Sequence, residues 1–132
     1  MKLENIELIK EFYIQFKAKN KSAYLQLCDD QIEWNAMESM PNGGKRIGKA
    51  AVFDEYFPVM LSNFDGFHAI ADEFIDADND TVLVLGKYSL RSKYTHQDFE
   101  AQFAHVYTVK NGKITRFRQY TDTAKIQQAL AK

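Results

Sequence analysis

His105 stands in the run FAHVYTV, an apolar and aromatic stretch in which it is the one ring that titrates near neutral pH. An imidazole there can act as a general acid or base near neutral pH. The same residue reads equally as a core histidine, because a buried polar ring must find a partner whatever its role. Tyr13, in EFYIQF, falls on the apolar side of an amphipathic stretch. Its phenol either donates into a cavity or sits at the rim of the core. Trp34, the single tryptophan, shares a strand face with Ile32 and Ala36 and reads as pocket wall or as core. His68 falls at a strand start and His96 on a polar hairpin tip, and no carboxylate stands at ligand spacing. No metal site is therefore expected. The chain has no phosphate-cradling glycine loop, zinc signature or nucleophile elbow, and no cofactor is expected.

Composition narrows the function classes. Seventeen Lys and Arg against eighteen Asp and Glu give a formal charge of −1. That balance gives no support to phosphate tracking, so no nucleic-acid partner is expected. With 132 residues, 45% of them hydrophobic, the chain is long enough to bury one core without disulfides or metal. Residues 1–132 read as a single domain. Ten Phe, seven Tyr and one Trp would fill that core or line a pocket within it. Cys28 lies among Tyr24, Leu25 and Leu27 and reads as a small buried hydrophobe. The segment MKLENIELIKEFYIQF is charged throughout, and no run approaches the length of a membrane span. The reading is cytoplasmic, with no membrane partner.

Local patterns then set the elements that must position these side chains. Leu3, Ile6, Ile9, Tyr13 and Phe16 recur at spacings of three and four, which predicts a helix over 3–19. Ser22 is a fair N-cap for a second helix running to about residue 29. QIEWNAM alternates and predicts a strand, and ESMPNGGKRIG reads as loop. From Lys49, Val52, Phe53, Tyr56, Phe57, Met60, Leu61 and Phe64 have helical spacing, with Pro58 splitting the helix in two. Strands follow over 67–76, 81–90, 98–109 and 113–121, and Asp122 caps a last helix over 123–131. This order predicts an α+β fold with helices laid on one face of a curved antiparallel sheet.

Strand parity decides which side chains meet. Phe99, Ala101, Phe103, His105, Tyr107 and Val109 share one face of their strand. Thr115, Phe117, Gln119 and Thr121 share a face of the last one, and Ile114, Arg116, Arg118, Tyr120 and Asp122 share the other. Counting outward from Asn111-Gly112 puts 105 opposite about 118, uncertain by one, and a bulge would bring Gln119 there instead. The Arg116, Arg118, Tyr120 and Asp122 stripe suits ion pairing across the sheet or a subunit contact.

The closing segment FAHVYTVKNGKITRFRQYTDTAKIQQAL resembles the last hairpin and helix of the nuclear transport factor 2-like superfamily. It is most similar to the SnoaL-like branch of polyketide cyclase and ketosteroid isomerase relatives. IEWNAM, the glycine of RIGKAAVFDEYF and the EFYIQF helix match the same pattern, so the resemblance spans the chain. It implies a cone-shaped α+β barrel with three to four helices on the concave face and a deep apolar pocket. It also implies a homodimer through the convex sheet face, and it favours the bulge that sets His105 against Gln119. Tyr13 falls on or near the first-helix tyrosine of ketosteroid isomerases, but Trp34-Asn35 stands where their base would be, and His105 where their second aspartate would be. The epoxide-hydrolase positions hold Trp34, Ala36 and Gln119, and the SnoaL aspartate, fourteen residues after His105, is Gln119. A glutamine orients a carbonyl but cannot abstract a proton. The expected function is a pocket that binds a small hydrophobic molecule. The alternative is an isomerase- or cyclase-type enzyme moving a proton next to a carbonyl, with His105 as acid/base and Tyr13 and Gln119 polarising an oxygen. Trp34, Phe53, Phe57, Met60, Phe103 and Phe117 would shape the cavity.

Overall fold

The computed structural model describes residues 2–131, with side chains from residue 4 onward. Six strands form one sheet in the order β2-β1-β6-β5-β4-β3. They are β1 (Cys28–Ala36), β2 (Gly44–Ile47), β3 (Phe64–Asp76), β4 (Thr81–Ser92), β5 (Asp98–Lys110) and β6 (Lys113–Thr121). All neighbours are antiparallel except β1 and β6, which run parallel. The α+β class read from the sequence is the one the chain adopts. Among the described residues no helix is long and apolar enough to cross a membrane.

Helix α1 (Lys2–Lys17) buries Ile9 and Phe12 and packs Ile6, Leu8, Tyr13 and Phe16 against the core, as its spacing requires. Lys19, at φ 59°, turns the chain into α2 (Lys21–Gln26). The cap of α2 is Asn20 rather than the expected Ser22. The Asn20 side chain accepts from the Ala23 N–H, and the Ser22 hydroxyl donates to Asn20 instead. This helix ends at Gln26, short of the expected boundary, because Cys28 already pairs with Ile114 of β6.

Two further boundaries differ from the sequence reading. The run expected to be loop contains β2, which pairs with β1 from Glu33↔Ile47 to Ala36↔Gly44. Gly43 permits the reversal, since a Cβ there would stand 2.1 Å from the Met37 carbonyl oxygen. The expected two-piece helix is a π-helix (Ala50–Tyr56) followed by α3 (Phe57–Leu61). Pro58 lies in the first turn of α3, where no backbone donor is needed. β3 starts at Phe64, three residues earlier than expected. Asp122 caps α4 (Thr123–Leu130) by accepting from the Lys125 N–H.

The β5–β6 hairpin carries the decisive irregularity. Thr108 faces Arg116 and Val109 faces Ile114, so Thr115 is an extra residue on β6. The bulge sets His105 opposite Gln119 and Tyr107 opposite Phe117. It also corrects one parity expectation. Ile114 leaves the face of Arg116, Arg118 and Tyr120 and is fully buried. On the convex side, Ile75, Leu83, Val106 and Arg118 lie in one cross-strand row, with Leu85, Ala104 and Tyr120 in the next.

Candidate functional site

The concave sheet face, α1, the π-helix and α3 enclose a cavity of about 520 Å³. That is within the range of small-molecule pockets. Its wall is aromatic. Phe12 touches Trp34, Phe53 and Tyr107 at ring-centroid distances of 6.2 to 6.4 Å, and Trp34 stacks on Phe117 at 3.9 Å. Phe57 packs between Trp34 and Phe16, at 5.4 and 5.0 Å. Exposed Lys17, Lys19, Asp65 and His68 stand at the mouth.

Of the side chains singled out in the sequence, Trp34, Phe53, Phe57, Met60 and Phe117 line this cavity, as do Tyr13, His105 and Gln119. Phe103 does not. It lies behind the wall, stacked on the His105 ring at 3.8 Å. Gly86, opposite Phe103, makes that possible, because a Cβ there would come within 2.8 Å of the Phe103 ring and 2.1 Å of the Ile70 carbonyl oxygen.

His105 is 4% exposed and has both ring nitrogens occupied. Nδ1 lies 2.6 Å from the Tyr13 hydroxyl and Nε2 lies 2.5 Å from that of Tyr88. Neighbouring groups give this chain a direction. The Met37 N–H donates to Gln119 Oε1 at 3.1 Å, which fixes the amide. Gln119 Nε2 then donates to the Tyr88 oxygen at 2.8 Å. The Tyr88 proton goes to His105 Nε2, so the neutral imidazole carries its hydrogen on Nδ1 and donates to Tyr13. Tyr107 also donates to the Tyr13 oxygen, at 2.9 Å. The opposite tautomer would strand a proton on Tyr88, which is 4% exposed. In the assigned direction the spare proton is on Tyr13, the half-buried member that borders the cavity. A phenol that accepts two hydrogen bonds is the stronger donor for it.

Burial sets the electrostatics. It pulls the His105 pKa down to about 3, so the ring is neutral. Burial also pushes Tyr13, Tyr88 and Tyr107 well above the usual phenol value, and Tyr56 up to about 12. These groups keep their protons. Cys28 is buried, its thiol pushed up to about 12 by the same cause, as its apolar neighbours led one to expect.

Sequence reasoning missed Tyr88, Tyr107 and Tyr56 as site residues. Tyr107 shares the His105 face, a signal that was available. Tyr88 reaches His105 although Val84 is the residue opposite it, so cross-strand pairing alone does not reveal that contact. Tyr56 is part of the apolar helical spacing and is marked out there only by its hydroxyl.

The SnoaL-like domain family matches residues 9–117. No curated protein matches. Among solved structures, the chain is similar to an NTF2-like protein from Burkholderia thailandensis. Identity is 29%, the TM-score is 0.89, and 97% of this chain and 98% of that one are covered. TerC, co-crystallised with polyporic acid, is 25% identical at a TM-score of 0.85, covering 96% and 98%. A putative SnoaL-like polyketide cyclase from Jannaschia shares the fold at 11% identity and a TM-score of 0.80, covering 98% and 92%.

Proposed function

The chain belongs to the SnoaL-like domain family, within the nuclear transport factor 2-like superfamily, and from that membership we propose that it binds a small hydrophobic molecule that presents an oxygen to Tyr13. The observation that carries this reading is the hydrogen-bond chain linking Gln119, Tyr88, His105 and Tyr13; the direction assigned to it leaves the Tyr13 proton to the cavity. His105 acts here as a positioning residue: it holds Tyr13 and supplies one of the two bonds that strengthen it. Gln119 starts the chain. The co-crystallisation of TerC with polyporic acid supports an organic small molecule as occupant.

Xanthone, a flat aromatic ketone, is a suitable probe. Wild type binds it in a titration followed by Trp34 fluorescence, and Tyr13→Phe weakens it about fivefold, or about 1 kcal/mol for one lost hydrogen bond. Equal affinity in the two proteins would remove Tyr13 from the binding site.

A second reading is the isomerase- or cyclase-type enzyme with His105 as acid/base. It is favoured by the contact of Tyr13 with His105 Nδ1, which would resupply a proton to Tyr13 after transfer to a carbonyl oxygen. The raised phenol values along the chain oppose complete transfer, and binding is the better-supported reading. We also assign the convex face to a second copy of the chain. The apolar row there includes Arg118 Nε, which is buried and has no hydrogen-bond partner among the described residues.

A further inference from the structure

Tyr56 is a core residue whose hydroxyl takes no part in the Tyr13 chain. It is 1% exposed and borders the cavity, and its hydroxyl bonds to no group among the described residues. The hydroxyl is not sealed into packing either. Among the described residues the one sealed and unpartnered side-chain polar atom is Arg118 Nε, on the other side of the sheet. A buried hydroxyl without a partner is unfavourable unless something else meets it.

The ring is held in place from two sides. The Arg46 guanidinium lies 5.2 Å from its centroid and is itself pinned to the Gly43 carbonyl at 2.8 Å and to Asn42 Oδ1 at 2.9 Å. Phe57 meets the ring edge-on at 5.0 Å. Tyr56 and Tyr88 both line the cavity. Tyr88 bonds the Nε2 side of His105 and Tyr13 the Nδ1 side. Tyr56 lines the same cavity as Tyr13 and takes no part in the chain that ends on it.

We propose that Tyr56 is a second oxygen-binding donor of this pocket and its specificity-determining residue. It selects a ligand with two acceptor oxygens on one rigid apolar frame over a ligand with one. This rests on the pocket reading above.

The test compares 9,10-anthraquinone with xanthone, which has the same shape but replaces one carbonyl by a weakly accepting ring oxygen. Wild type binds anthraquinone about fivefold more tightly. Tyr56→Phe abolishes that preference, weakening anthraquinone about fivefold. Because the hydroxyl has no partner among the described residues, the variant melts at the wild-type temperature or above. A preference that survives in Tyr56→Phe overturns the inference. So does a fall in Tm of about 4 °C or more, which would reveal a bonded, structural hydroxyl. If neither compound binds and Tm is unshifted, the pocket reading fails and this inference falls with it.

Discussion

At the scale of single residues, His105 converts burial into a dependence on pH. Its folded pKa of about 3 lies below the ordinary value of about 6.5, so the unfolded chain binds a proton that the folded chain refuses. Stability from this group is complete above the unfolded value and is lost as pH falls below it. From pH 7 to pH 5 the loss is about 2 kcal/mol from this one side chain. Urea unfolding at the two pH values measures it. The difference in slope between wild type and His105→Gln isolates the imidazole, and equal slopes would show that His105 titrates normally. The residue was legible in the sequence as an imidazole alone among aromatics, and so was Tyr13 on the apolar side of its helix. Its two tyrosine bonds were not, because Tyr88 comes from a strand whose facing residue is Val84.

At the scale of elements, Thr115 decides what faces the cavity. Its extra position restores His105 to Gln119 and Tyr107 to Phe117. Side chains alternate with a period of two, so removing one residue from β6 inverts every side chain on one side of the deletion. Deleting Thr115 is expected to expel Phe117 and Gln119 from the concave face, or else to expel Ile114. The Trp34–Phe117 stack at 3.9 Å is the reporter for the first outcome. Trp34 fluorescence should shift toward that of a solvated indole and the protein should unfold at lower urea. Unchanged emission and an unchanged midpoint would show that the register does not depend on the bulge. Helix spacing, the Asn111-Gly112 turn and strand alternation revealed most elements in advance. The bulge was invisible to counting, since no residue type marks it, and β2 was hidden because its four residues acquire strand character only by pairing with β1.

At the scale of the molecule, one sheet has two apolar faces. The concave face is covered by helices and holds the cavity, while the convex face presents Leu83, Leu85 and Val106, with Ile75 40% and Tyr120 49% exposed. Ion pairs border this patch, Arg116 Nε lying 2.8 Å from Glu33 Oε2. Light scattering at micromolar concentration is expected to return a dimer. Leu85→Asp should return a folded monomer, since a carboxylate facing a second copy would be buried without a partner. A wild-type monomer would contradict the assignment of this face. The sequence showed the polar stripe of Arg116 and Arg118 but gave little notice of the apolar rows beside it, which arise from β3, β4 and β5 together.

The proposed binding mode requires a spare proton on Tyr13 at the wall of an aromatic cavity. The carbonyl stretch of xanthone bound to the protein reads that proton directly by infrared difference spectroscopy. A stretch at lower frequency in wild type than in Tyr13→Phe is the predicted result. Coincident frequencies in the two proteins would contradict it.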